Sequence, residues 1–173
     1  MKKVISQNFF NRPILKVAPD LLGKYLVRKI RRKIVRLKIT EVEAYDGEKD
    51  LACHACRGRT QRTEIMYGEA GRFYIYLCYG MYWMLNIVTG PKEYPAAVLI
   101  RGVESFEGPG KLTRELRIDK RFNKKIVKPL SGLWIESGEE KIQKSAVLRT
   151  ARIGVSYAGP IWSKRKYRFV LKK

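Results

Sequence analysis

From Arg72 to Gly90 the chain reads RFYIYLCYGMYWMLNIVTG, two aromatic and apolar runs that meet at Tyr79-Gly80-Met81. Residues 73 to 78 and 82 to 88 carry side chains that favour a pleated backbone, and the glycine between them supplies the freedom a tight connection needs. The stretch therefore predicts a β-hairpin, around which the rest of the fold has to pair. Side chains alternate along a strand, so Tyr74 and Tyr76 share one face of the first arm, and Tyr82, Met84, Asn86 and Val88 share one face of the second. By composition such a hairpin is ordinary core. Tyr79 does not fit that reading, because a large ring at a turn is poorly placed for burial by its own sheet. In a strongly basic chain it becomes a candidate wedge between bases.

The basic character narrows the partner. Against 37 Lys and Arg stand only 16 Asp and Glu, a formal net charge of +21, beyond what solubility requires and in the range of a polyanion binder. Nucleic acid is the first partner this implies. A membrane is the weaker reading, since no apolar run approaches the ~20 residues of a spanning helix. The N-terminus, MKKVISQNFF, starts basic but lacks the apolar stretch of a secretory signal, so the expectation is an intracellular protein, cytoplasmic if bacterial. The 173 residues, 45% of them hydrophobic, suit one domain with its own core, residues 1–173, and a monomer is the default.

Read in order, Phe9-Phe-Asn-Arg-Pro looks anchored, and a short helix is expected over Leu15 to Leu22, with Pro19 near its start and Gly23 ending it. Tyr25 to Ile30 reads as a strand, Arg31-Arg32-Lys33 as a basic turn that is either solvated or a phosphate contact, and Ile34 to Tyr45 as the returning arm. On that arm Val35, Leu37 and Ile39 share one parity. A regular strand would carry the same face on through Glu41, Glu43 and Tyr45. These carboxylates are either structural, paired with arginine or rotated to solvent by a bulge, or one is a partly desolvated group beside a tyrosine ring. Such a group serves as a general base if it stays ionised, which nearby cations favour.

Cys53-His54-Ala55-Cys56 has a Cys-x-x-Cys spacing around the one histidine, but a zinc site usually draws on a second ligand pair and only Cys78 remains. The bland reading is two reduced thiols beside a functional histidine. Arg57 to Arg62 is a basic loop, Thr60 or Thr63 is placed to cap a short helix ending near Gly68, and Ala96 to Arg101 is a buried strand closed by an arginine. Gly108-Pro109-Gly110-Lys111 reads as a glycine-rich helix entry with a lysine available to phosphate, without the Walker spacing. LSGLWIES and KSAVLRT are strand-like pieces parted by a polar turn at Gly138-Glu139-Glu140. A loop over Arg152 to Gly159 then precedes a final basic strand, Tyr167 to Leu171.

Taken together, Phe9-Phe10, Leu22-Gly23, Glu41-Val42-Glu43-Ala44-Tyr45, His54, Tyr76-x-x-Tyr79-Gly80-Met81-Tyr82, Asn86, Arg101, Gly108-Pro109-Gly110-Lys111-Leu112, Arg152-Ile153-Gly154-Val155 and Tyr157-Ala158-Gly159 resemble the alkyladenine (3-methyladenine) DNA glycosylases of the mammalian type, in order and spacing. The segment from Arg101 to Gly108 is much shorter than in the mammalian pattern. The resemblance implies an α+β fold, a single mixed domain around a curved antiparallel sheet with short helices and a protruding hairpin. It implies an enzyme that flips alkylated or deaminated purines from duplex DNA and hydrolyses the N-glycosidic bond, leaving an abasic site, with neither metal nor organic cofactor. Glu43 matches the base that activates water and Arg101 the arginine that helps hold it. Tyr45 and Tyr76 match aromatic walls, His54 a base contact, and Asn86 the asparagine that disfavours the guanine amino group. Tyr79 matches the residue that fills the gap in the duplex, with Met81, Tyr82 and Lys111 as further DNA contacts.

Two other readings use fewer of these residues. A non-catalytic nucleic-acid binder needs the cations and rings but no hydrolytic carboxylate. A phosphoryl-transfer enzyme built on the Gly108 loop lacks a metal cluster or nucleotide motif.

Overall fold

The aromatic runs form the predicted hairpin inside a nine-stranded, antiparallel, curled sheet with a few short helices, an α+β architecture. The computed structural model describes residues 2–139 and 142–172. An N-terminal turn of helix, α1 (Gln7–Phe10), buries Phe10 and is pinned by the Gly90 amide on the Phe10 carbonyl. The next helix, α2 (Ile14–Leu21), packs on the sheet through Ile14, Val17, Ala18 and Leu21. The proline that opens it is Pro13, at the N-cap with φ −50°; Pro19 lies inside the helix, not near its start. Pro19 has no N–H for the Leu15 carbonyl, and the helix ends two residues later, before Gly23 turns the chain at φ +76°.

Strands β1 (Tyr25–Ile30) and β2 (Lys33–Asp46) pair across the Arg31-Arg32 turn. β3 (Phe73–Cys78) and β4 (Tyr82–Val88) are the hairpin, and β5 (Ala96–Val103) inserts between β4 and the inner half of β2. A tight turn with Ser105 at φ +75° returns β5 into the short β6 (Phe106–Glu107), which accommodates the brevity of the chain between Arg101 and Gly108. Helix α3 (Pro109–Glu115) packs on β4 and β5. β7 (Leu133–Glu136) extends the sheet beyond β1, while β8 (Val147–Thr150) pairs with the last strand. A helical turn absent from the sequence reading, α4 (Gly159–Trp162), precedes that last strand, β9 (Arg168–Leu171). β9 adds to β2 at Glu41, Val42 and Glu43. The Gly138-Glu139-Glu140 turn falls partly on residue 140, outside the described residues.

One irregularity decides what the sheet presents on each face. The pairing of β2 with β5 shifts register between Ile39 and Glu41 and again between Glu41 and Val42. An extra residue at a bulge reverses the alternation beyond it. Ile39 therefore lies in the main core, but so do Val42 and Ala44, and Glu43 and Tyr45 turn to the opposite face. A regular strand, the condition for the stripe of Val35, Leu37 and Ile39 to continue through Glu41, Glu43 and Tyr45, is thus not met; the alternative of a bulge is. The bulge aims Glu43 not at solvent but beneath loops that cross the second face. Phe73, Ile75, Leu85, Ile87, Val98 and Ile100 complete the core from the neighbouring strands.

Candidate active site

Pairing carries the second face across four strands. Tyr74 lies opposite Asn86, Asn86 opposite Leu99, and Leu99 opposite Glu43, so these side chains form one row over β3, β4, β5 and β2. Tyr76 and Met84 continue it toward the hairpin tip, and Tyr45 and Ala97 flank it. Two loops close over this floor: residues 51–66, with His54 in a 3-10 turn (His54–Arg57), and the C-terminal loop around Ile153 and Tyr157. They enclose a cleft of about 1020 Å³, at the upper end for a small-molecule site.

Beneath the cleft lining Glu43 is fully buried, against Tyr45, Arg101 and Ile153, which do line the cleft. The Tyr45 hydroxyl donates to Oε2 and the Ile153 amide to Oε1, each at 2.8 Å, and Arg101 Nη1 stands 3.6 Å from Oε1. Arg101 is held in turn by Glu41, through Nε to Oε1 at 2.9 Å, and Arg168 reaches the same oxygen at 2.5 Å. Burial pushes the Glu43 carboxyl above its ordinary value; Arg101, the Ile153 N–H and the Tyr45 hydroxyl pull it back, and Glu41 adds to the rise. The cations favour ionisation as expected, yet desolvation outweighs them. Arg101, which lies within β5 two residues before its end, both pairs with a carboxylate and lines the cleft.

The walls are rings. Tyr45 and Tyr76 flank the cleft, and the His54 ring meets Tyr76 edge-on with centroids 4.6 Å apart. His54 Nδ1 shares a 2.8 Å hydrogen bond with the Tyr74 hydroxyl, which leaves Nε2 for a bound molecule. Burial, helped by Arg62 and Arg57, lowers its pKa to about 4, so the ring is neutral at physiological pH. Asn86 is buried and spends its amide N–H groups on the Tyr74 and Met84 carbonyls, at 3.1 and 3.3 Å, so its orientation is fixed.

Tyr79 projects from the hairpin tip, 84% exposed, at φ +50°, with Gly80 also left-handed and the Met81 amide returning to the Cys78 carbonyl. A left-handed tyrosine costs roughly 1–2 kcal/mol per residue, a strain better explained by presentation of the ring than by packing. Met81 is exposed beside it. Tyr82 leans on α3, where a Cβ at Gly110 would come within 2.6 Å of its ring, and exposed Lys111 follows. The Arg31-Arg32-Lys33 turn lies at the far end of β2, ten residue steps from Glu43 and up to about 33 Å away at the usual rise.

Cys53 is buried and leans on the Pro95 carbonyl, while Cys56 leans on that of Leu51. Among the described residues no cluster of three or more His, Cys, Asp or Glu side chains has the arrangement of a metal site. Thr63 occupies the N-cap of the 3-10 turn Glu64–Tyr67, but its hydroxyl closes the preceding loop on Gly58 and Thr60 instead of capping. No helix among the described residues is long and apolar enough to cross a membrane.

Sequence reasoning missed the Ile153 amide, the buried Asp50 and Arg152 behind Tyr45, and Arg62, whose guanidinium sits 4.9 Å over the Tyr76 ring. A backbone donor carries no signal in its own side chain. Arg152 and Asp50 are ordinary letters until the fold brings them together across the chain.

Residues 8–108 and 104–173 match the family model described as Methylpurine-DNA glycosylase (MPG). A relative from Psychrobacter cryohalolentis, named "Putative 3-methyladenine DNA glycosylase", is 42% identical over 92% of this chain and 88% of its own. Relatives bearing the same name from Methanocella arvoryzae, 43% identical over 90% and 86%, and Legionella pneumophila strain Paris, 40% identical over 99% and 96%, align comparably. With its sheet, ring-lined cleft and buried carboxylate in place, the chain belongs to the methylpurine-DNA glycosylase family, and so to the hydrolytic DNA glycosylases of alkylation repair.

Proposed function

We propose that this protein takes an alkylated or deaminated purine out of duplex DNA into the ring-lined cleft and hydrolyses its glycosidic bond with water activated by Glu43. The observation that carries the reading is a fully buried carboxylate, held by Tyr45 and the Ile153 amide next to Arg101, immediately beneath the lining of a cleft walled by Tyr45, Tyr76 and His54. Binding alone has no use for a desolvated acid. Glu43, ionised, takes a proton from water as the oxygen bonds to C1′; the bond to the purine nitrogen breaks and its electron pair leaves with the base. For a cationic alkylated purine that pair neutralises the leaving group. Arg101 and Glu41 keep a fixed charge beside the attacking water.

Tyr45 and Tyr76 offer electron-rich faces to a cationic base, and neutral His54 adds no opposing charge. Asn86, locked by two carbonyls, fits a role in refusing the guanine amino group. Extrusion costs a few kcal/mol, least for a weakened pair. Tyr79 is placed to replace the lost stacking, with Met81, Tyr82 and Lys111 as flanking DNA contacts. No lysine lines the cleft to supply an amine nucleophile for a Schiff base, so the expected product is an intact strand with an abasic site.

Incubation with methylated duplex DNA and no added divalent metal should release free methylpurine and leave an alkali-labile but uncut strand. Failure to release any base would leave only a cationic nucleic-acid binder. Tyr79→Ala should shift the flipping equilibrium, read by fluorescence of a reporter base, by about 1–3 kcal/mol, the worth of one stacked base. Unchanged flipping would remove Tyr79 as the wedge.

A further inference from the structure

Behind Tyr45 lies an ion pair that the reaction itself does not use. Asp50 and Arg152 both have fully buried side chains and meet through two contacts, Nη1 to Oδ2 at 2.5 Å and Nη2 to Oδ1 at 2.8 Å. Each also grips the backbone of a segment that carries a site residue. Asp50 accepts from the Asp46 and Ala52 amides, at 3.0 and 3.1 Å, and so fixes the turn that leads from Tyr45 to His54. Arg152 donates to the Ala44 carbonyl at 2.8 Å and the Trp162 carbonyl at 3.3 Å, and its guanidinium lies 4.9 Å over the Tyr45 ring. The residue after Arg152 is Ile153, whose amide is bonded to Glu43.

Stability alone explains this pair poorly. Burying two charges costs about as much as their attraction returns, and apolar residues of the same volume often serve as well. Arg152 Nε is also buried without a hydrogen-bond partner, a cost the site tolerates. Geometry is what the pair supplies: a rigid fork through which three segments are registered against one another.

We propose that Asp50 and Arg152 are positioning residues for Glu43, fixing the Ile153 amide and the Tyr45 hydroxyl so that both donors meet the carboxylate. The inference rests on the reading of Glu43 as the base. The groups facing Glu43 are Arg101 from β5, Glu41 and Tyr45 from its own strand, Arg168 from β9 through Glu41, and Arg152 with Asp50 from the loops. Loosening the fork removes a donor that favours the ionised form, and Arg152→Lys does so with every charge kept, so in that variant a lower activity should come with an acid limb moved to higher pH.

The test measures single-turnover release of methylpurine from alkylated duplex across pH, with duplex affinity and thermal midpoint alongside. The variants are Arg152→Lys, which keeps the charge but loses the fork, and Asp50→Asn combined with Arg152→Gln, which keeps a neutral hydrogen-bonding pair. Release should slow by roughly 100-fold, the scale of a reacting group displaced by about 1 Å, while duplex affinity holds within a few-fold. A lowered thermal midpoint with unchanged rate and acid limb would overturn the proposal. Should these variants not fold, replacing the Ile153 peptide bond by an ester in the full chain deletes the one N–H and spares the pair. The acid limb must then move upward, and an unmoved limb overturns the proposal equally. Glu43→Gln run in parallel separates the two ideas: if it retains normal release, the base assignment falls; if it is inactive while the Arg152 variants match wild type, only the positioning role falls.

Discussion

Glu43→Gln is expected to bind lesion-containing duplex as wild type does and to release its base about 10²- to 10⁴-fold more slowly, the range for loss of a general base. Single-turnover release and a binding titration on the same duplex check it; normal turnover would eliminate Glu43. The wild-type rate should also fall on the acid side at a pH above the ordinary glutamate range, because burial raises the carboxyl and only its ionised form accepts the proton. The sign for stability runs the other way. A carboxyl raised in the folded state contributes stability that is fully present below its unfolded value and lost as pH rises through the folded one. At neutral pH the ionised Glu43 therefore burdens the fold, and Glu43→Gln should unfold at an equal or higher temperature than wild type. A marked drop would mean that Glu43 is a structural partner of Arg101.

Duplex affinity should fall steeply with salt. With a formal net charge of +21, exposed Arg57 and Arg62 lining the cleft and exposed Lys111 on α3, phosphate neutralisation should dominate binding. For a protein making about 6–10 phosphate contacts, affinity drops by roughly 10³- to 10⁵-fold between about 50 and 200 mM salt. A titration of undamaged and lesion duplex over that range should give parallel lines, since phosphate contacts position the protein but do not distinguish bases. A flat response would overturn the electrostatic reading.

The hairpin, the β1 to β2 pair and the β5 strand were legible because alternation and turn chemistry are local. Phe73–Cys78 and Tyr82–Val88 are the arms the pattern predicts, and Tyr79 stands clear at their tip. Pro19 falls inside the helix because a proline's preference for the first turn is a tendency, and here Pro13 at the N-cap opens the helix. The short turn of α4 has too few residues for periodicity to register.

The amino-acid sequence by itself thus determined the cationic surface, the hairpin with its exposed ring, and the carboxylate, histidine, asparagine and tyrosines from which a site could be assembled. Only the tertiary structure decided that they gather around one cleft. Glu43 turns to the face beneath the cleft because a bulge reverses the side-chain alternation of β2, and whether a strand bulges depends on the neighbour it pairs with. Its environment comes from Arg101 on another strand, from a backbone N–H at Ile153 that any residue would carry, and from Asp50 and Arg152, a hundred residues apart in the chain and in contact in the core. Desolvation and hydrogen-bond direction are properties of packed neighbours, so they exist only once the chain has folded.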